Sequence, residues 1–126
     1  MALWLALVPA LAGALVLART ALIVVTVVGS SMAPTLDDGD RVLVVRRWLR
    51  PVRRGDIVAA RIDTIPLPRA DERRPPLVIK RAATVAGDGV FLLGDNGAAS
   101  DDSRVWGALP VREIVGVMVR RLSRHG

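Results

Sequence analysis

Ile23-Val24-Val25-Thr26-Val27-Val28 branches at Cβ in every position. Such side chains lose χ1 freedom in a helix and pack well on a pleated surface, so the run reads as a strand. That reading decides how the apolar amino-terminal region divides. Residues 2–18 carry no charge, Arg19 interrupts, and residues 21–28 are apolar again. One span from Leu3 to Val28 would hold Arg19 inside a bilayer, at roughly 2.5–3.5 kcal/mol or more. A helix ending near Ala18 lets Arg19 reach the interface instead, and the strand follows it. Such a helix covers about 25 Å at 1.5 Å per residue, near the lower limit for spanning. Pro9 and Gly13 weaken it in water but are tolerated in a membrane. A membrane anchor is the preferred reading. Two alternatives stay open: a cleaved secretory signal with Val16-Leu17-Ala18 as its small-residue site, and a buried helix. The signal lacks the usual basic start, because no Lys or Arg precedes the apolar run. Every basic residue follows the span, which favours a cytoplasmic body by the positive-inside rule, yet large following domains translocate regardless of charge.

The remainder reads as short strands between turn signals. Val42-Leu43-Val44-Val45 follows the turn Asp37-Asp38-Gly39-Asp40, and residues 56–62 follow Arg54-Gly55. Residues 77–83 and Val90-Phe91-Leu92-Leu93 form two further runs, with Gly87-Asp88-Gly89 between them as a hairpin turn. Residues 113–122 suit a final strand or a short helix, and their Val and Ile content favours the strand. Residues 63–76, with Pro66, Pro68, Pro75 and Pro76, read as a loop rather than a second domain. At 126 residues the chain supports one small, mainly β domain behind the helix.

Charge and composition narrow the chemistry. Lys80 is the single lysine among 18 basic residues, and the rest are arginine. Arginine stays protonated in a protein, whereas a desolvated lysine releases its proton near neutrality. The chain has no cysteine, and its single histidine, His125, is the penultimate residue. Ser-His and Cys-His catalysis are therefore disfavoured, while a serine activated by a lysine fits. The net charge is +6, with Arg46, Arg47, Arg50, Arg53 and Arg54 gathered around Trp48. Beside an anchor, arginines around a tryptophan suit an interfacial patch on anionic lipid, or else a solvated basic face. Aromatics are 3% of the chain, too few for base-stacking nucleic-acid recognition. The Asp37-Asp38-Asp40 cluster reads as a turn in preference to a cation site.

Gly29-Ser30-Ser31-Met32-Ala33-Pro34-Thr35-Leu36 follows the β-branched run directly. Pro34 fixes its own φ and pushes Ala33 out of the helical region, so the chain bends just after Ser31. Such a bend presents a hydroxyl and leaves nearby N–H groups available to an oxyanion. Taken alone, the segment is more often just a turn.

The blocks taken together resemble the type I signal peptidases, membrane-bound Ser/Lys proteases that remove signal peptides. Ser31-Met32-Ala33-Pro34-Thr35-Leu36 resembles the nucleophile box, and Asp38-Gly39-Asp40 with Val42-Leu43-Val44 the strand after it. Arg54-Gly55-Asp56-Ile57-Val58 resembles the Arg-Gly-Asp start of the next strand. Ile79-Lys80-Arg81-Ala82, with Gly87-Asp88, resembles the lysine box. Gly94-Asp95-Asn96, then Ser100-Asp101-Asp102-Ser103-Arg104, Trp106-Gly107 and Pro110, resemble the closing box. The blocks come in the family's order across nearly the whole chain, with the only lysine at the base position.

The resemblance implies a small signal-peptidase-like β domain with one N-terminal transmembrane helix: residues 1–20 as anchor and 21–126 as catalytic domain. Ser31 is then the nucleophile and Lys80 the general base. Leu77, Val78 and Ile79 exclude water from the amine, and Arg81 adds a like charge. Ser100 orients the lysine, and Asp102 with Arg104 makes a structural ion pair, unless the two are an ordinary turn with a surface salt bridge. Asp95 and Asn96 lie near the site and suit a hairpin turn after Gly94. The oxyanion hole uses the Ser31 N–H; the serine that supplies a second donor in some members is Gly29 here, and Ser30 is a bystander. Five residues separate Asp88 from Gly94, where larger members insert an accessory domain, and Gly97-Ala98-Ala99 replaces a more charged segment.

The implied partners are preprotein signal peptides with small residues before the cleavage site, and the lipid bilayer, with no nucleic acid. No cofactor or metal is implied. The implied place is the cytoplasmic (inner) membrane, single-pass, with the catalytic domain on the extracytoplasmic side. Short members include a dedicated maturation protease for nickel superoxide dismutase, which is one alternative; a non-enzymatic, membrane-anchored basic module is another. A related self-cleaving repressor would need a helical DNA-binding domain, and none fits in the first thirty residues.

Overall fold

The computed structural model describes residues 2–62 and 77–123. The expected loop over 63–76 and the histidine at 125 lie outside the described residues. Helix α1 runs Leu3–Ala21 and strand β1 runs Leu22–Thr26 without a linker between them. The helix thus continues three residues past the expected end at Ala18. Arg19 sits in its last turn, where a cation complements the helix dipole. The Thr20 hydroxyl donates to the Val16 and Leu17 carbonyls at 3.0 and 3.1 Å, holding that turn closed. The 18-residue window of α1 has a mean hydropathy of 1.8 and none of it is buried against the domain. The buried-helix alternative is thereby removed, and α1 is long and apolar enough to cross a membrane.

The body is one curled antiparallel sheet of seven strands in the order β1-β2-β7-β3-β4-β5-β6. The other strands are β2 (Arg41–Arg46), β3 (Ile57–Arg61), β4 (Leu77–Ala86), β5 (Gly89–Leu93), β6 (Leu109–Pro110) and β7 (Ile114–Ser123). All five anticipated strand runs after β1 are present, and residues 114–123 settle as a strand. The short β6 and the one-turn helix α2 (Ser103–Trp106) carry no hydrophobic period and are not legible in the sequence.

Alternation of side chains across the sheet gives two apolar clusters. One gathers Val25, Met32, Leu36, Val42, Val44 and Ala59; the other gathers Val58, Ala60, Val90, Leu92, Ile114 and Val117. β3 contributes to both, being buried on both faces from Ile57 to Ala60, and its two alanines keep the layers close. Gly116 lets β2 close on β7: a Cβ there would meet the Val45 carbonyl and approach Val44 Cγ1 to 2.8 Å. The turn between β4 and β5 is two residues long, with Gly87 at φ +59°. Glycine takes that backbone without the Cβ strain of other residues.

Two strand edges matter for function. β1 is an outer strand, bonded among the described residues to β2 alone. β4 pairs with β3 through Leu77–Arg81 but with β5 only from Arg81 onward. Residues 77–80 therefore have one edge without a strand partner among the described residues.

Candidate active site

The turn after β1 is pinned from below. Met32 and Leu36 are fully buried, the Leu36 N–H donates to the Met32 carbonyl at 3.0 Å, and the Ala33–Pro34 peptide is cis. Ser31 lies at the surface end of this plug, half-buried. Its carbonyl accepts the Asn96 N–H at 2.8 Å, and the Asn96 side-chain amide donates to the Ser30 carbonyl at 3.0 Å. The Asp95 N–H points at the Met32 sulfur, 3.4 Å away. Among the described residues, the Ser31 N–H itself has no acceptor. Gly29 has φ +86° and donates its N–H to the Asp38 carboxylate at 2.7 Å, so that N–H is already used.

Lys80 sits on β4 with only 5% of its surface exposed. Its Nζ donates to Ser100 Oγ at 3.2 Å, and Ser100 in turn donates to Asp102 Oδ2 at 2.9 Å. Burial pulls the lysine below its ordinary pKa; the negative charges of Asp102 and Asp101 oppose that shift, and Arg104 adds to it. The expectation that Arg81 supplies the like charge needs correction. Arg81 is the next residue on a strand and faces the opposite way. It is clamped to Asp95, Nε to Oδ1 and Nη2 to Oδ2 both at 2.8 Å, with Nη1 donating to the Gly55 carbonyl. The hydrogen bonds from Arg81 hold the Asp95 carboxyl below its usual range, and Thr35 Oγ1 adds a third, at 2.7 Å.

Asp95 and Asn96 are thus more than a hairpin turn. Between them they tie the serine turn, the lysine strand and the closing segment together. Nothing local in the sequence announces this, because Thr35, Arg81 and Asp95 are far apart in the chain.

Asp102 is fully buried and Arg104 half-exposed, so the pair joins a buried carboxylate to a guanidinium at the surface. Burial raises the carboxyl pKa, but hydrogen bonds from the Arg104 guanidinium, the Gly94 N–H, the Ser100 hydroxyl and the Arg104 N–H outweigh it and hold it far below the usual range. The pair is bidentate, Arg104 Nε to Oδ1 at 2.9 Å and Nη2 to Oδ2 at 3.0 Å. Gly94 is the close approach that allows the assembly: a Cβ there would overlap the Ser100 side chain and come within 2.6 Å of the Ser31 carbonyl oxygen. Gly94→Ala is expected to cost about 1–3 kcal/mol through overpacking. Its unfolding midpoint in detergent checks this.

A narrow cleft of about 30 Å³ lies between the two open strand edges. Its walls are Thr26, Val27 and Val28 on one side and residues 77–80 on the other, and Ser31 and Lys80 share it. Hydroxyl, buried amine and open backbone edges thus face one space. Two of the three Asp carboxylates of the turn before β2 are otherwise engaged: Asp38 accepts the Gly29 N–H, and the buried Asp40 accepts the Asp37 N–H at 2.9 Å and lies 3.8 Å from Arg121.

Among known families, the one described as "Signal peptidase, peptidase S26" matches residues 1–90 and 79–122 of the chain. No curated protein matches it.

Proposed function

We propose that this chain, which belongs to the signal peptidase family, peptidase S26, cleaves signal peptides from exported preproteins with Ser31 as nucleophile and Lys80 as general base. The observation that carries this reading is the buried, pKa-lowered Lys80 amine sharing one cleft with Ser31. A neutral amine has two N–H bonds and one lone pair. The N–H given to Ser100, whose own proton goes to Asp102, fixes the direction of that lone pair.

In the proposed reaction Ser31 Oγ bonds to the scissile carbonyl carbon while its proton passes to Lys80 Nζ. The oxyanion is met by the Ser31 N–H. The C–N bond then breaks, the leaving amine takes the proton from Lys80, and an ester remains on Ser31. Water, deprotonated by Lys80, hydrolyses the ester and restores both groups.

The two open edges supply the binding mode. The Val27 N–H and carbonyl are taken by the Asp40 carbonyl and the Gly39 N–H. An extended peptide laid in the cleft would therefore pair with the outward backbone of Thr26 and Val28 and with the edge of residues 77–80 that has no strand partner among the described residues, with little regard to sequence. Selectivity then rests on what fits the narrow cleft, and about 30 Å³ suits a small side chain such as Ala. Residues 1–20 form the anchor and 21–126 the catalytic domain in this reading, placed on the extracytoplasmic side of the inner membrane.

The test is cleavage of a preprotein with an Ala-x-Ala site by the full chain in detergent. The native chain is expected to cut after the second Ala, Ser31→Ala to be inactive, and a preprotein with Leu in place of that Ala to be cut at least about tenfold more slowly. Cleavage by Ser31→Ala at the native rate would overturn the mechanism. Failure of the native chain on Ala-x-Ala would direct the reading to a single dedicated client.

A further inference from the structure

We infer that the membrane-proximal end of the sheet carries a built pocket for the phosphate of an anionic phospholipid headgroup, separate from the catalytic cleft. The pocket has a volume of about 130 Å³, room for several waters at ~30 Å³ each and hence for one phosphate group. Arg46, Arg47, Arg61 and Arg112 line it, with Trp48 at its rim and Ile114 in its wall. The arginines come from three places in the chain: the end of β2, the end of β3 and the turn before β7. The register brings them together, since Arg46 pairs with Gly116 and Ala60 with Ile114.

The same register fixes where this pocket lies. β1 leaves the helix at Leu22, and Leu22 pairs with Val45. Arg46, Arg47 and Trp48 therefore follow the residue that lies beside the end of the membrane helix. The segment is held in place: the Arg47 N–H donates to the Val115 carbonyl at 3.0 Å, its Nε donates to the Ile114 carbonyl at 3.1 Å, and the Leu49 N–H to the Arg46 carbonyl at 3.0 Å. Trp48 and Leu49 are nonetheless 58% and 51% exposed. An exposed Trp–Leu pair between arginines is unfavourable in water and suited to the headgroup layer, where the ring sits at the interface. Arg19, in the last turn of α1, marks the same level.

Charge supports one occupant. Among the described residues the only ion pair made by these four arginines is Arg112 with Glu113, at 3.9 Å. Arg47 spends Nε on the Ile114 carbonyl, and among the described residues the remaining guanidinium edges make no side-chain hydrogen bond, which leaves them for bidentate contact with phosphate oxygens. Nucleic acid would offer phosphate as well. The position beside the helix end and the exposed apolar pair favour lipid.

The test uses the full chain in dodecyl maltoside, read by native mass spectrometry with dioleoylphosphatidylglycerol, dioleoylphosphatidylcholine or glycerol 1-phosphate added at equal concentration. Phosphatidylglycerol adducts are expected to exceed phosphatidylcholine adducts about tenfold, and glycerol 1-phosphate to compete weakly. Arg46→Gln with Arg61→Gln and Arg112→Gln should lower the phosphatidylglycerol adduct about tenfold or more. A control with the same charge loss on other exposed arginines, Arg53→Gln with Arg54→Gln and Arg120→Gln, should lower it less than about threefold. Melting temperatures of both triple variants verify folding, and the single variant Arg61→Gln serves if the pocket triple is unstable. Equal adducts of the two lipids, equal losses in the two triples, or glycerol 1-phosphate binding as strongly as the lipid would each overturn the proposal.

Discussion

Lys80→Met will cut preproteins about 10³–10⁴-fold more slowly than the native chain and will unfold at a higher temperature. The two effects share one cause. In the proposed role Lys80 must be neutral to act, and it is held in a site that penalises its charge, chiefly by burial. Below the lowered folded pKa the native protein carries a poorly solvated ammonium; methionine of similar length carries none. The gain in stability at neutral pH should be on the order of 1 kcal/mol, because replacing a buried charged group by a packed apolar one is often stabilising.

The sign follows from proton counts. Between the lowered folded pKa and the ordinary unfolded value near 10.4, the unfolded chain binds the extra proton, so native stability rises with pH across that window. Below the folded value both states hold the proton, the slope vanishes and the destabilisation is at its full extent. With Lys80 as the proposed base, cleavage should rise as pH climbs through the folded value and then level off while stability goes on rising, because only the neutral amine can accept the Ser31 proton. Lys80→Met should show neither slope, and Lys80→Arg, charged at every pH, should be inactive throughout. Rates within tenfold of native for Lys80→Met would remove Lys80 from the base role.

The parts of the molecule legible in the sequence were those written in local runs and composition. The strands were, because short β-branched or apolar runs beside turn signals favour extended backbone, as in residues 23–26 and 42–45. The candidate pair was legible through an oddity of composition, one lysine in an arginine-rich chain, and through the block order around it. The supporting contacts were not. Arg81 looked like a charge beside the amine, yet strand alternation turns it to the other face, where Asp95 and Thr35 meet it. Gly94 looked like a turn glycine, yet its requirement is the missing Cβ that would strike Ser100 and Ser31. Such requirements arise only when segments sixty residues apart pack together. They leave no local period to read.

Asp102→Ala is the variant in which fold and chemistry should fail together. The carboxylate accepts hydrogen bonds from the Gly94 N–H, Ser100 Oγ and the Arg104 guanidinium and N–H, all while fully buried. Its removal leaves a backbone donor and a hydroxyl without their acceptor, while the freed Arg104 is half-exposed and turns to solvent, so about 1–3 kcal/mol is expected. The acid limb should change as well. The folded pKa of Asp102 lies below the unfolded value near 3.9, so the unfolded chain binds more protons just below pH 4 and this share of stability is present above it and lost as pH falls. Denaturation midpoints between about pH 2 and pH 5 should therefore vary less steeply in Asp102→Ala, keeping the share that Asp95 contributes through Arg81. The effect on Lys80 has the opposite sense to a simple loss of function. Asp102 raises the lysine pKa, so without it the amine becomes neutral at lower pH, and the activity limb should move down in pH. The plateau rate should nevertheless drop, because Ser100 loses the acceptor that made its lone pair available to Lys80 Nζ. A downward-shifted limb with a reduced plateau separates loss of orientation from loss of the base. An upward shift would mean that the lysine is governed by some charge other than Asp102.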